Sequence, residues 1–144
     1  MKNKSFYTIL ITWFGFIQGL HFLALLRAMI IYSKTALLPF PALPPVNGWS
    51  AQAEYFLIGN GIIDALNIIL SLTFAYGYFK SKAWAWKAGL ISLTILLYSA
   101  AIFAYATINA DAWSAHPFAY WSMAILYTPI FILTICFYLK NPLE

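Results

Sequence analysis

A single cysteine, Cys136, occurs in the 144 residues. With no second thiol there is no disulfide framework and no CxxC pair, which excludes a thiol-exchange enzyme. Charge is almost as scarce: charged residues make up 8% of the chain, where a soluble domain of this size carries about a quarter. Histidine is rarer still. His116 and Asp111 share a short segment but lack further His or Cys partners, so they read as an exposed loop rather than a metal site; neither metal nor cofactor is called for. No internal repeat is evident, which weakens an inverted-repeat transporter reading.

What the chain has instead is apolar surface, since 63% of it is hydrophobic. Crossing the hydrocarbon of a bilayer takes roughly 20 apolar residues, and four stretches qualify: Phe6 to Tyr32, Tyr55 to Phe79, Trp84 to Ile108 and Phe118 to Leu139. These predict an all-α integral membrane four-helix bundle forming one domain. The first stretch follows Met1, Lys2 and Lys4, yet its apolar run exceeds the roughly 7 to 15 residues of a signal h-region. It is therefore read as a retained helix.

The formal charge of +4 would point to nucleic acid were it not for where the charges fall. Lys2, Lys4, Lys80, Lys82, Lys87 and Lys140 lie on one side of the predicted membrane, and Arg27 and Lys34 on the other. The positive-inside rule then places both termini in the cytoplasm, with the lysines against anionic lipid headgroups. This predicts a multi-pass protein of the cell inner membrane if the chain is bacterial, or of the endoplasmic reticulum if it is eukaryotic.

The connections differ in kind. Lys80-Ser81-Lys82-Ala83 is a tight hairpin with Trp84 and Trp86 as interfacial anchors. The outer loop, Ser33 to Ser50, holds Pro39, Pro41, Pro44 and Pro45, which forbid a regular helix. Its Phe40, Leu43 and Trp49 are suited to the membrane surface or to a lid over the bundle mouth. In the fourth helix, Pro117 suits the first turn, and Pro129 predicts a kink.

Asp64 is the anomaly: a carboxylate within a membrane span is costly and needs a partner or a task. At 1.5 Å of rise per residue, His21 and Asp64 both count out to roughly 15 Å from the outer boundary, and Tyr98 and Tyr127 to the same level. Asn60, Asp64 and Asn67 follow the i, i+4, i+7 spacing of one helix face, and Gln18 and His21 share a face of the first helix. Lipid offers such groups no hydrogen bond, so they are predicted to face inward. The simplest arrangement pairs His21 with Asp64. Held in hydrogen-bond reach, the two are candidate acid and base for proton transfer. Gln18, His21, Asn60, Asp64, Asn67, Tyr98 and Tyr127 are the candidate ligand-binding set.

Each candidate also has a purely structural reading. His21, Asp64, Asn60 and Asn67 can act as interhelical glue, and Tyr98 and Tyr127 as packing residues. Arg27 can snorkel or pair with Glu54. Gly15 and Gly19 form a GxxxG pattern that allows close helix approach within the bundle or in a dimer. Aromatics such as Trp13, Phe14, Phe22, Phe74, Tyr76 and Phe103 suit a flat apolar ligand as well as they suit lipid.

The order of parts resembles the EXPERA membrane family, which includes the sigma-2 receptor and sterol Δ8-Δ7 isomerases. The shared parts are a first helix, a longer outer loop ending in Trp49, a second helix with its acid at Asp64 and a Lys80/Trp84 hairpin. A last helix with Tyr127-Thr128-Pro129 and a Lys140-Asn141-Pro142 exit complete them. The resemblance implies a hydrophobic pocket open to the membrane that holds a sterol or similar lipid against buried acidic groups, with Asp64 in the place of the second-helix acid. The first helix departs from this pattern, carrying His21 and Arg27 where a family acid is expected.

The sequence thus predicts a small membrane protein that binds an apolar or amphiphilic ligand, a membrane lipid or small hydrophobic molecule, within its bundle. An intramembrane isomerase, an accessory subunit with a membrane-protein partner or in a homo-oligomer, and a proton-coupled transporter component are the alternatives.

Overall fold

The computed structural model describes residues 3–139. Lys2 and the Lys140-Asn141-Pro142 exit lie outside the described residues. Five helices follow one another: α1 (Asn3–Thr35), α2 (Ala51–Phe79), α3 (Ala85–Asn109), the single turn α4 (Ala112–Ala115) and α5 (Pro117–Leu139). No strand occurs among the described residues. α1, α2, α3 and α5 are each long and apolar enough to cross a membrane. Together they suggest a multi-pass membrane protein.

Helix ends follow local chemistry. α2 begins at Ala51, earlier than the apolar run indicates, because Ser50 in extended conformation accepts from the Ala53 N–H at 3.2 Å, the geometry of an N-cap. α1 runs on to Thr35, with the hydroxyls of Ser33 and Thr35 folded back on the carbonyls of Ile30 and Ile31. Between α2 and α3 the Lys82 N–H reaches the Gly77 carbonyl and the Ser81 N–H reaches that of Tyr78. With Ser81 left-handed at φ 51°, this is a Schellman stop.

α1 packs beside α2 and α5, and α3 beside α2 and α5, leaving α1 and α3 on one diagonal and α2 and α5 on the other. The resulting ring has two unlike halves. Toward the chain termini the centre is a dense apolar core of Ile11, Phe14, Phe74, Leu93, Leu133 and Phe137. Phe74 meets Phe14 at 5.8 Å and Phe137 edge-on at 5.3 Å between centroids, and Trp86 stacks on Phe137 at 5.0 Å. Gly89 makes room for this: a Cβ there would fall 2.7 Å from the Phe74 ring and 2.8 Å from the Phe137 ring. Gly15 faces Ala75 at 3.6 Å from a built Cβ, whereas Gly19 faces open space. Half of the GxxxG pattern therefore serves the α1–α2 contact.

Toward the loops the core thins. None of residues 19–35 of α1 is buried, although Gln18 is completely so. The loop-side mouth is closed from above instead. Tyr120 donates to the Leu43 carbonyl at 2.6 Å, His116 Nε2 contacts the Pro44 carbonyl at 3.0 Å, and Trp49 donates to the Ala42 carbonyl at 3.1 Å. Since a carbonyl only accepts, His116 is the donor in its bond. Trp113 stacks on Tyr120 at 5.5 Å and donates to Thr107 Oγ1. These bonds hold the proline loop against the start of α5.

Candidate functional site: a split polar layer

The polar side chains gather just on the loop side of the dense core, in two halves. On the α2–α3 side, Asp64 Oδ1 lies 2.5 Å from Ser99 Oγ, which also lies 2.9 Å from Asn60 Oδ1. A serine hydroxyl has one hydrogen and cannot donate to both. Either Asn60 turns its Nδ2 to Ser99 and Ser99 donates to the carboxylate, or Asp64 carries a proton and donates to Ser99. Both arrangements satisfy Oδ1 and leave Oδ2 without a hydrogen-bond partner. On the α1–α5 side, the Tyr127 hydroxyl meets His21 Nδ1 at 3.1 Å. Among the described residues, His21 Nε2 stays without a partner.

One turn toward the termini, Asn67 Nδ2 donates to the Ser92 carbonyl at 3.1 Å, and the Ser71 and Ser92 hydroxyls meet at 2.7 Å. These tie α2 to α3 as hydrogen-bonding glue. Gln18, at the same level on α1, is fully buried with neither amide atom partnered. Close by, Trp13 donates to the Leu126 carbonyl at 3.0 Å, a hydrogen bond that joins α1 to α5.

Two expectations are corrected. His21 and Asp64 lie on adjacent helices, but among the described residues no ion pair joins them; each is bonded to the helix on its other flank. Tyr98 is not in the layer, being 62% exposed on the outer surface of α3. Successive helix residues are about 100° apart, so with Ser99 facing α2, Tyr98 must face away; counting depth fixes level but not azimuth. Of the two readings of Arg27, the pair with Glu54 is not formed among the described residues, where Arg27 is exposed.

Sequence reasoning also missed residues. Ser92 and Ser99 are seven apart on α3, the same spacing that picked out Asn60 and Asn67 on α2, and would have supplied the inward face of the third helix. Tyr120 and His116 carry no such signal, because their partners are loop carbonyls.

His21 and Asp64 are both half-buried. An open groove of about 650 Å³ lies elsewhere, between the lid and the α3–α4 turn, lined by Asn47, Ser50, Asp111 and Ser114 among others. It shares no residue with the polar layer. Among the described residues no three of His, Cys, Asp or Glu gather as a metal site requires. No protein-family model, curated protein or solved structure matches the chain.

Proposed function

We propose that this is an integral membrane protein, with both termini cytoplasmic, that binds an apolar or amphiphilic ligand at the polar layer on the loop side of its bundle. One observation carries the reading. His21 Nε2 and Asp64 Oδ2, on adjacent helices, are left without hydrogen-bond partners in half-buried positions, where the simplest use of both would have been each other. Helix glue spends its hydrogen bonds between helices, as Ser71 and Ser92 do. His21 and Asp64 each keep one in reserve. A ligand's polar head is suited to bridge them, with its apolar part along the half-buried stripe of Ala24, Leu25 and Ala28 on α1.

The proposed likeness to the EXPERA family rests on the order of parts in the sequence. His21 in place of a second carboxylate favours binding over two-acid isomerisation. Native mass spectrometry of gently extracted protein tests the reading. One lipid or amphiphile per chain is expected on the wild type and a sharp loss on His21→Leu and Asp64→Leu variants of unchanged helicity. Equal retention by both variants would sink the proposal.

A further inference from the structure

Gln18 is the most anomalous side chain in the bundle. It is 0% exposed, and neither its Nε2 nor its Oε1 has a partner. An unpaired buried amide is a net cost, which an apolar residue of the same length would avoid. Asn67, 3% exposed, shows the same defect in part: its Nδ2 bonds the Ser92 carbonyl while its Oδ1 is sealed and unpaired. These are the three buried unpaired side-chain atoms among the described residues.

Register brings the two residues to one level. Gly15 faces Ala75 on one side, and His21 neighbours Asp64 on the other. Gln18 lies three residues from His21 and Asn67 three from Asp64, both toward the termini and both on the faces that α1 and α2 bury. The two amides therefore form a floor one turn below the split layer.

We infer that Gln18 and Asn67 recognise a neutral hydrogen-bonding group that both accepts and donates. The group accepts from Gln18 Nε2 and donates to Gln18 Oε1 and Asn67 Oδ1. A primary carboxamide at the head of an alkyl chain supplies that complement; an ordered water supplies it too, and the test separates the two sources. An ester has no donor, and a quaternary ammonium has neither donor nor acceptor. Both amides are closed to a water-sized probe in the present packing, so the occupant enters as Gln18 turns about its three side-chain bonds. The inference deepens the proposed ligand reading and rests on it.

The experiment compares hexadecanamide with methyl hexadecanoate on the full chain in lipid nanodiscs, by competition native mass spectrometry and by thermal shift. Matched chains leave the head group as the variable. The wild type is expected to favour the amide by about tenfold or more, the worth of one or more well-made hydrogen bonds. Gln18→Met is expected to melt higher than the wild type, to keep its affinity for the ester, and to bring the preference close to one. If the Met variant fails to fold, Gln18→Leu carries the same test. A tenfold preference that survives in the folded variant overturns the inference. So does equal binding of both probes by the wild type, and if Gln18→Met is then the less stable protein the floor belongs to structural water. Failure of both probes and of every native lipid to bind the wild type would instead overturn the ligand reading itself.

Discussion

Gly89→Ala adds one methyl group at the most tightly packed point of the bundle, where its Cβ would stand 2.7 Å from the Phe74 ring and 2.8 Å from the Phe137 ring. Carbon atoms rest at about 3.5 to 4.0 Å, so each ring has to retreat by roughly 1 Å. Neither has room. Phe74 is 0% and Phe137 1% exposed, and they are held edge to face at 5.3 Å with Phe14 and Trp86 behind them. Overpacking of this kind costs about 1–3 kcal/mol, against a helix-propensity gain of about 0.5–1 kcal/mol for replacing glycine. The net is a loss of up to about 2.5 kcal/mol. Gly59 supplies the internal control, since a Cβ there meets nothing within 4 Å, and Gly59→Ala keeps only the propensity gain. The shared propensity gain cancels, so the two variants are expected to differ by the overpacking cost, about 1–3 kcal/mol, in reversible unfolding from mild detergent. Equal stabilities within about 0.5 kcal/mol would show that the aromatic cluster is not packed as described.

Other outcomes follow from the same structure. Ser81→Gly relieves a left-handed residue at φ 51° in the α2 stop and is expected to raise stability by about 1 kcal/mol, seen as a higher unfolding midpoint; Ser81→Val should lower it. Tyr120→Phe removes the 2.6 Å bond to the Leu43 carbonyl, so amide exchange across residues 40–48 should quicken while that of α2 and α3 stays unchanged. Ser92→Ala breaks the 2.7 Å bond to Ser71 but leaves the backbone carbonyl that Asn67 uses. Its cost should be about 0.6 kcal/mol and no more than about 1.7 kcal/mol by the same unfolding assay.

The four long helices were legible because each apolar run exceeds bilayer thickness and is bounded by lysines, prolines or polar loops. Their ends were less so. Ser50 and the Schellman turn at Ser81 set boundaries that hydropathy averages away, and Asp111, left-handed at φ 59°, starts a one-turn helix that no apolar run marks. The polar layer was legible in depth and, for α1 and α2, in azimuth, because two or three polar residues on one helix define a face. Tyr98 stood alone on its helix and was placed on level only; Ser99 beside it is the residue that reaches Asp64 at 2.5 Å. The separation of His21 from Asp64 was not legible. Which of several compatible partners a buried group takes depends on helix rotations that spacing along one helix does not encode.

The central claim is that an amphiphile occupies the loop-side interior between α1, α2 and α5. Photo-crosslinking with a diazirine-bearing alkyl lipid in nanodiscs, mapped residue by residue, tests it most directly. Bilayer lipid will label the outward Leu23, Ile62, Tyr98 and Ile125, which are 58–68% exposed. A bound ligand is expected to add labels on the inward Ala24, Ala28, Asp64 and Tyr127, and unlabelled competitor at low molar excess should remove these while sparing the outward set. Labels confined to the outward residues, at every probe concentration, would contradict the account and leave the polar layer as helix glue alone.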